Sequence, residues 1–77
     1  MLRILDCVIY KENEPPKYMT IALNTRRINR IDLLSIKYSG VLKLVYRLTL
    51  NNKTYVDINH NQYDNLFELV EYLNEKE

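Results

Sequence analysis

The sequence predicts an α+β fold: a small antiparallel β-sheet of four to five strands, built from successive hairpins and covered by one C-terminal α-helix. Three observations carry this expectation. Residues 41–50, VLKLVYRLTL, alternate, with Leu42, Leu44, Tyr46, Leu48 and Leu50 on one parity and Lys43, Arg47 and Thr49 on the other. Period-2 alternation of that length belongs to a strand with one buried face. From Asn61 the period changes, because Tyr63, Leu66, Phe67, Val70 and Leu73 recur at helical spacing with Glu68, Glu71 and Glu75 opposite. The only glycine, Gly40, stands just before the alternating run, where a hairpin turn favours a left-handed backbone.

Each element follows in order. Residues 2–10 are apolar on both parities apart from Arg3 and Asp6, which suits a central strand; a hydrogen bond to backbone or a tyrosine would satisfy Asp6. Residues 17–23 form its partner, since Met19, Ile21 and Leu23 alternate with Tyr18, Thr20 and Ala22. The connection KENEPPK is polar, and Pro15 and Pro16 cannot donate to a ladder.

The next strand is expected over 31–37, IDLLSIK. A three-residue loop of Tyr38, Ser39 and Gly40 sets Ile36 opposite Leu42 and Leu34 opposite Leu44, with Gly40 in the left-handed position. An alternative stays open for TRRINRIDLL, where Ile28, Ile31 and Leu34 also fit helical spacing and Thr25 could cap a short helix. After the strand at 41–50, a loop of Asn51 to Lys53 sets Leu48 opposite Val56, Tyr46 opposite Ile58 and Arg47 opposite Asp57. A two-residue loop would mix the faces. Strand 54–60 then leads into a helix over 62–75, capped by Asn61 or Asp64.

Seventy-seven residues make one domain, 1–77, and a chain this short buries only roughly 60–65% of its unfolded surface. Stability is thin, and a dimer interface or a partner would add to it. With 47% hydrophobic and 27% charged residues the chain is globular, not a disordered tail. No apolar run is long enough to span a membrane, and Arg3 and Asp6 interrupt the N-terminal stretch against a signal-peptide core. A cytoplasmic location is therefore expected. A lone cysteine, Cys7, forbids an internal disulfide or a zinc knuckle and reads as a small buried apolar residue. Asn, Ile, Lys and Tyr supply 29 residues and Ala one, a bias typical of AT-rich genomes such as low-GC bacteria and their phages.

Charge is segregated. Residues 24–55 carry Arg26, Arg27, Arg30, Lys37, Lys43, Arg47 and Lys53 against Asp32, a net of +6, while residues 56–77 have a net of −5. The basic half could neutralise phosphates through Arg26, Arg27, Arg30, Lys43 and Arg47, with Tyr55 on the same face as a stacking platform. The overall balance of +1 weakens that reading, because binders that rely on charge usually carry a net excess. Glu68, Glu71 and Glu75 form a candidate acidic interface, and the opposite signs of the two halves could also drive homodimerisation. Tyr18, Tyr55 and Tyr72 are expected to be partly outward, as interface tyrosines often are.

Nothing points to an enzyme. His60 is the only histidine and reads as a partly buried strand-end residue; no phosphate loop, metal-ligand spacing or paired-acid motif occurs. No cofactor, metal or catalytic residue is expected. The function expected is that of a small regulatory factor, of the kind a phage or mobile element encodes, which docks on a larger host or defence protein and inhibits it. Nucleic-acid binding through the basic 24–55 segment is the alternative.

Overall fold

In the computed structural model, which describes residues 2–74, five strands precede one helix. They are β1 (Leu2–Ile9), β2 (Lys17–Asn24), β3 (Ile28–Tyr38), β4 (Val41–Leu50) and β5 (Tyr55–Asn59), followed by α1 (Leu66–Asn74). All pairings are antiparallel and the sheet order is β2-β1-β5-β4-β3, so the chain is an α+β fold. Short β5 stands at the centre between two longer hairpins.

The β4–β5 register is the expected one, with Tyr46 opposite Ile58, Arg47 opposite Asp57 and Leu48 opposite Val56. Leu50 accepts from the Lys53 N–H and donates to the Thr54 carbonyl, and Lys53 takes the left-handed backbone (φ 69°) that closes a three-residue loop. The β3–β4 register differs by one residue from the expectation. Tyr38 pairs with Val41, Ile36 with Lys43 and Leu34 with Val45, around a two-residue Ser39-Gly40 turn. Ser39 and Gly40 both have positive φ (50° and 78°), the type I′ geometry whose twist matches that of the flanking strands. Ile31 and Leu33, not Leu34 and Ile36, therefore share the face of Tyr46 and Leu48.

Helical spacing in TRRINRIDLL is overridden as well. Only Thr25–Arg27 turns, as a single 3-10 turn capped by Asn24, whose side chain accepts from the Arg26 N–H at 3.0 Å. Strand β3 begins at Ile28, three residues earlier than expected. At the other end, Asn59 caps a 3-10 turn at His60–Gln62 and α1 starts only at Leu66. Its cap is Asn65, neither Asn61 nor Asp64. The Asn65 side chain accepts from the Glu68 N–H (2.8 Å), while the Glu68 carboxylate accepts from the Asp64 N–H (3.1 Å), one residue before the cap, a shifted version of the capping box.

The core lies on the face under α1, where Leu5, Cys7, Leu23, Tyr46, Leu48, Leu50 and Ile58 close against Leu69 and Leu73. Full burial of such side chains contributes about 1.5–3 kcal/mol each before the entropy of ordering is charged against it. Tyr72, expected outward, is half-buried. Its hydroxyl donates to the Ile4 carbonyl at 3.1 Å, and its ring lies beneath Arg3.

Val45, on the opposite face, is 0% exposed, and Val8 is buried as well, because the sheet coils. Tyr10 lies three residues beyond Cys7, and Tyr38 pairs with Val41, five residues from Tyr46 in the opposite sense. In a flat sheet these eight residue steps would separate Tyr10 from Tyr38 by roughly 26 Å along the strands. Their ring centroids are 5.1 Å apart. The tips of the two hairpins thus meet: the Tyr38 hydroxyl donates to the Glu14 carbonyl, and the Ser39 N–H donates to the Glu12 carboxylate at 3.1 Å.

Candidate interaction surfaces

Register places Arg30, Lys43, Arg47 and Tyr55 on the face away from α1. Arg47 is engaged from two sides. Its Nε and Nη2 donate to the two Asp57 oxygens at 2.8 and 3.0 Å, and its guanidinium lies 3.9 Å from the Tyr55 ring centroid. The hydrogen bonds to Asp57 raise the Arg47 pKa further, against the opposing effect of burial, so the side chain is permanently charged. Arg30 donates from Nε to Asp32 at 2.9 Å, two residues along the same strand face. One face of the Tyr55 ring, expected as a stacking platform, already carries Arg47.

Arg26 and Arg27 sit in the 3-10 turn, apart from that face. Asn51 fixes them, since its side chain donates to the Arg26 carbonyl (3.2 Å) and its N–H to the Arg27 carbonyl (2.9 Å). Lys43 lies four residues from Arg47 along β4, about 13 Å away, opposite Ile36. The five cations therefore divide into a turn, two carboxylate-paired arginines and a separate lysine.

The acidic group divides too. Glu68 caps α1, Glu71 is exposed, and Glu75 lies outside the described residues. Asp6 is solvent-exposed, and its partner is neither backbone nor tyrosine: its carboxylate accepts from the cross-strand Thr20 hydroxyl at 2.8 Å.

The surface that sequence reasoning missed lies beside α1. Nine helical residues reach about 14 Å, whereas ten-residue β4 extends about 33 Å, so the helix cannot cover the whole alternating stripe. Leu42 and Leu44, expected in the core, are exposed, Leu42 at 68%. Leu33, opposite Tyr46, is half-exposed, and Phe67 in the first turn of α1 is 69% exposed, next to exposed Leu66. Lys37, opposite Leu42, flanks this apolar face. Comparing the lengths of stripe and helix would have found it.

Burial pushes the Cys7 thiol up, away from the reactive thiolate, and Asp6 and Asp57 add to that. The His60 ring packs against Tyr46 with centroids 5.2 Å apart. Among the described residues no group of three or more His, Cys, Asp or Glu could hold a metal ion, and no helix is long and apolar enough to cross a membrane. No family model, curated protein or solved structure matches the chain.

Proposed function

We propose that this chain is a non-enzymatic regulatory factor that docks on a larger protein through the bare leucine face of the β3–β4 hairpin. One observation carries the reading: Leu33, Leu42 and Leu44 continue the core stripe of β3 and β4 beyond the length that α1 can cover, yet stay in water. A chain of this size leaves such a stripe open at a cost in solubility, and contiguous exposed apolar surface commonly marks a partner site. Exposed Tyr18 and Tyr55 suit an interaction protein as well. The compositional bias fits a factor encoded by a phage or mobile element, whose target is then a host or defence protein held in an inhibited state.

A photo-crosslinking residue at Leu42, expressed in a low-GC bacterial host, tests this. One host protein is expected to crosslink from Leu42, to be lost with Leu44→Asp, and not to crosslink when the photo-reactive residue stands instead on the opposite face at Thr20. Equal labelling from both positions would overturn the reading. Nucleic-acid binding is the competing reading, and the pairing of Arg30 and Arg47 with carboxylates weighs against it. It requires oligonucleotide anisotropy that rises at low salt, falls steeply with added salt and is lost with Arg26→Ala/Arg27→Ala.

A further inference from the structure

Between β1 and β5 lies a cleft of about 530 Å³. Its origin is the coiling of the sheet. The register of β1 against β5 rests on Cys7 opposite Ile58, and the bent β3–β4 hairpin brings Ile36 across to the side of Tyr10. Val8, Tyr10, Ile36 and Tyr55 line it, together with Arg47 and Asp57. The hairpin tips are held by the Tyr38–Glu14 and Ser39–Glu12 hydrogen bonds, so the strands that frame the cleft are fixed in place.

We infer that this cleft binds an uncharged, largely apolar small molecule with one hydrogen-bond acceptor, which Arg47 receives. The size is that of small-molecule sites, roughly 300–1,000 Å³, which combine apolar walls with a few polar groups. Here the charged lining is Arg47 and Asp57 alone, and the two neutralise each other in a fork. A guanidinium offers five N–H donors. Asp57 takes two of them, which leaves three for a ligand's hydroxyl or carbonyl oxygen. A ligand anion would compete with Asp57 for Arg47, and a ligand cation would compete with Arg47 for Asp57; either would leave one charge of a half-buried pair without its partner. A neutral acceptor disturbs neither. The ligand's hydrocarbon part would remove Ile36 and the two tyrosine rings from water, against a floor formed by already buried Val8.

Three eight-carbon probes, 1-octanol, octanoate and octylammonium, separate the alternatives. Binding is read from saturable amide shifts at Tyr10, Ile36, Tyr55 and Val56, and from alkylation of Cys7 by iodoacetamide, since Cys7 also lines the cleft. With 1-octanol at ten times its dissociation constant, alkylation is expected to slow about tenfold, because only free protein opens. Octanoate and octylammonium are expected to bind about tenfold more weakly or worse, the discrimination that a neutral site requires. Ile36→Phe, which fills the cleft, should abolish the response, and Leu42→Asp on the opposite face should preserve it. If Ile36→Phe does not fold, Met19→Trp at the cleft margin replaces it. The proposal is overturned if 1-octanol gives no saturable shift, if octanoate binds as tightly as 1-octanol, or if a folded filling variant binds unchanged. The leucine-face docking reading stands or falls separately.

Discussion

Arg47 and Asp57 meet across β4 and β5 in a two-bond fork, with side-chain exposures of 26% and 11%. The fork sits where a polar pair is least replaceable. Tyr55 closes one side of the guanidinium, and Asp32 stands opposite Arg47 on β3. Removing one partner leaves the other half-buried without its counter-charge. Asp57→Ala is therefore expected to lower unfolding free energy by about 2 kcal/mol in urea titrations. The double variant Arg47→Met/Asp57→Leu should recover part of that loss, with a coupling energy of about 1–2 kcal/mol. A coupling near zero would reduce the fork to a surface ion pair.

The turns that join β3 to β4 and β4 to β5 each carry a residue whose backbone suits it poorly. Ser39 and Lys53 adopt φ of 50° and 69°, a region that costs side-chain-bearing residues energy while Gly40 occupies it freely. Lys53→Gly is expected to raise stability by about 0.5–1 kcal/mol, and Ser39→Asn by a few tenths, roughly the preference of type I′ turns for Asn-Gly. Gly40→Ala meets no atom within 4 Å, yet should cost about 1–2 kcal/mol through φ alone. Urea midpoints of the three variants check this together; a stabilised Gly40→Ala would refute the turn assignment.

The contrast between the two turns explains how far the fold was legible. At β4–β5, side-chain parity, the Arg47–Asp57 charge match and loop length all pointed to one register, and the register holds. At β3–β4, Gly40 fits the last position of a three-residue loop and of a two-residue one alike, and the parity match of Ile36 and Leu34 with Leu42 and Leu44 misled, because those two leucines are not buried. The deciding fact, a left-handed Ser39, has no strong signature in a serine. The meeting of Tyr38 with Glu14, 24 residues apart, follows from the coiling of the whole sheet and leaves no local pattern. Charge segregation was visible in the sequence, but its consequence was not. Arg30 and Asp32 stand two apart on one strand face, and that spacing could have shown that Arg30 is paired.

Alkaline pH is expected to weaken the fold in two steps. Burial raises the pKa of Cys7 and of Tyr46, Tyr10 and Tyr63, assisted by Asp6 and Asp57 at Cys7 and by Glu68 and Asp64 at Tyr46. In each case the folded state holds its proton to higher pH than the unfolded chain. Stability is thus fully present below the unfolded pKa and falls as pH rises through the folded one. Unfolding free energy should stay level to about pH 8.5, decline as unfolded thiol ionises, and decline faster above about pH 10 as unfolded tyrosines do. Cys7→Ala should delay the onset to about pH 10. Urea midpoints across this range test the order, and a rise between pH 9 and 11 would contradict the burial of these groups.

The leucines of β4 should divide sharply although they share one parity. Leu48 and Leu44 lie four residues apart on the same strand face, but α1 and the β5 side chains enclose only Leu48. Leu48→Ala is expected to cost about 2–5 kcal/mol, because it removes buried contacts and leaves a cavity. Leu42→Asp should change stability by no more than about 0.5 kcal/mol, since the side chain it replaces already stands in water. Leu44→Asp, at a half-exposed position beside Tyr46, should fall between them. Thermal and urea unfolding of the three variants measures the gradient. A large loss at Leu42 would mean that this face is covered in solution by a second copy of the chain, and sizing chromatography of Leu42→Asp against the parent chain would then show the loss of a dimer.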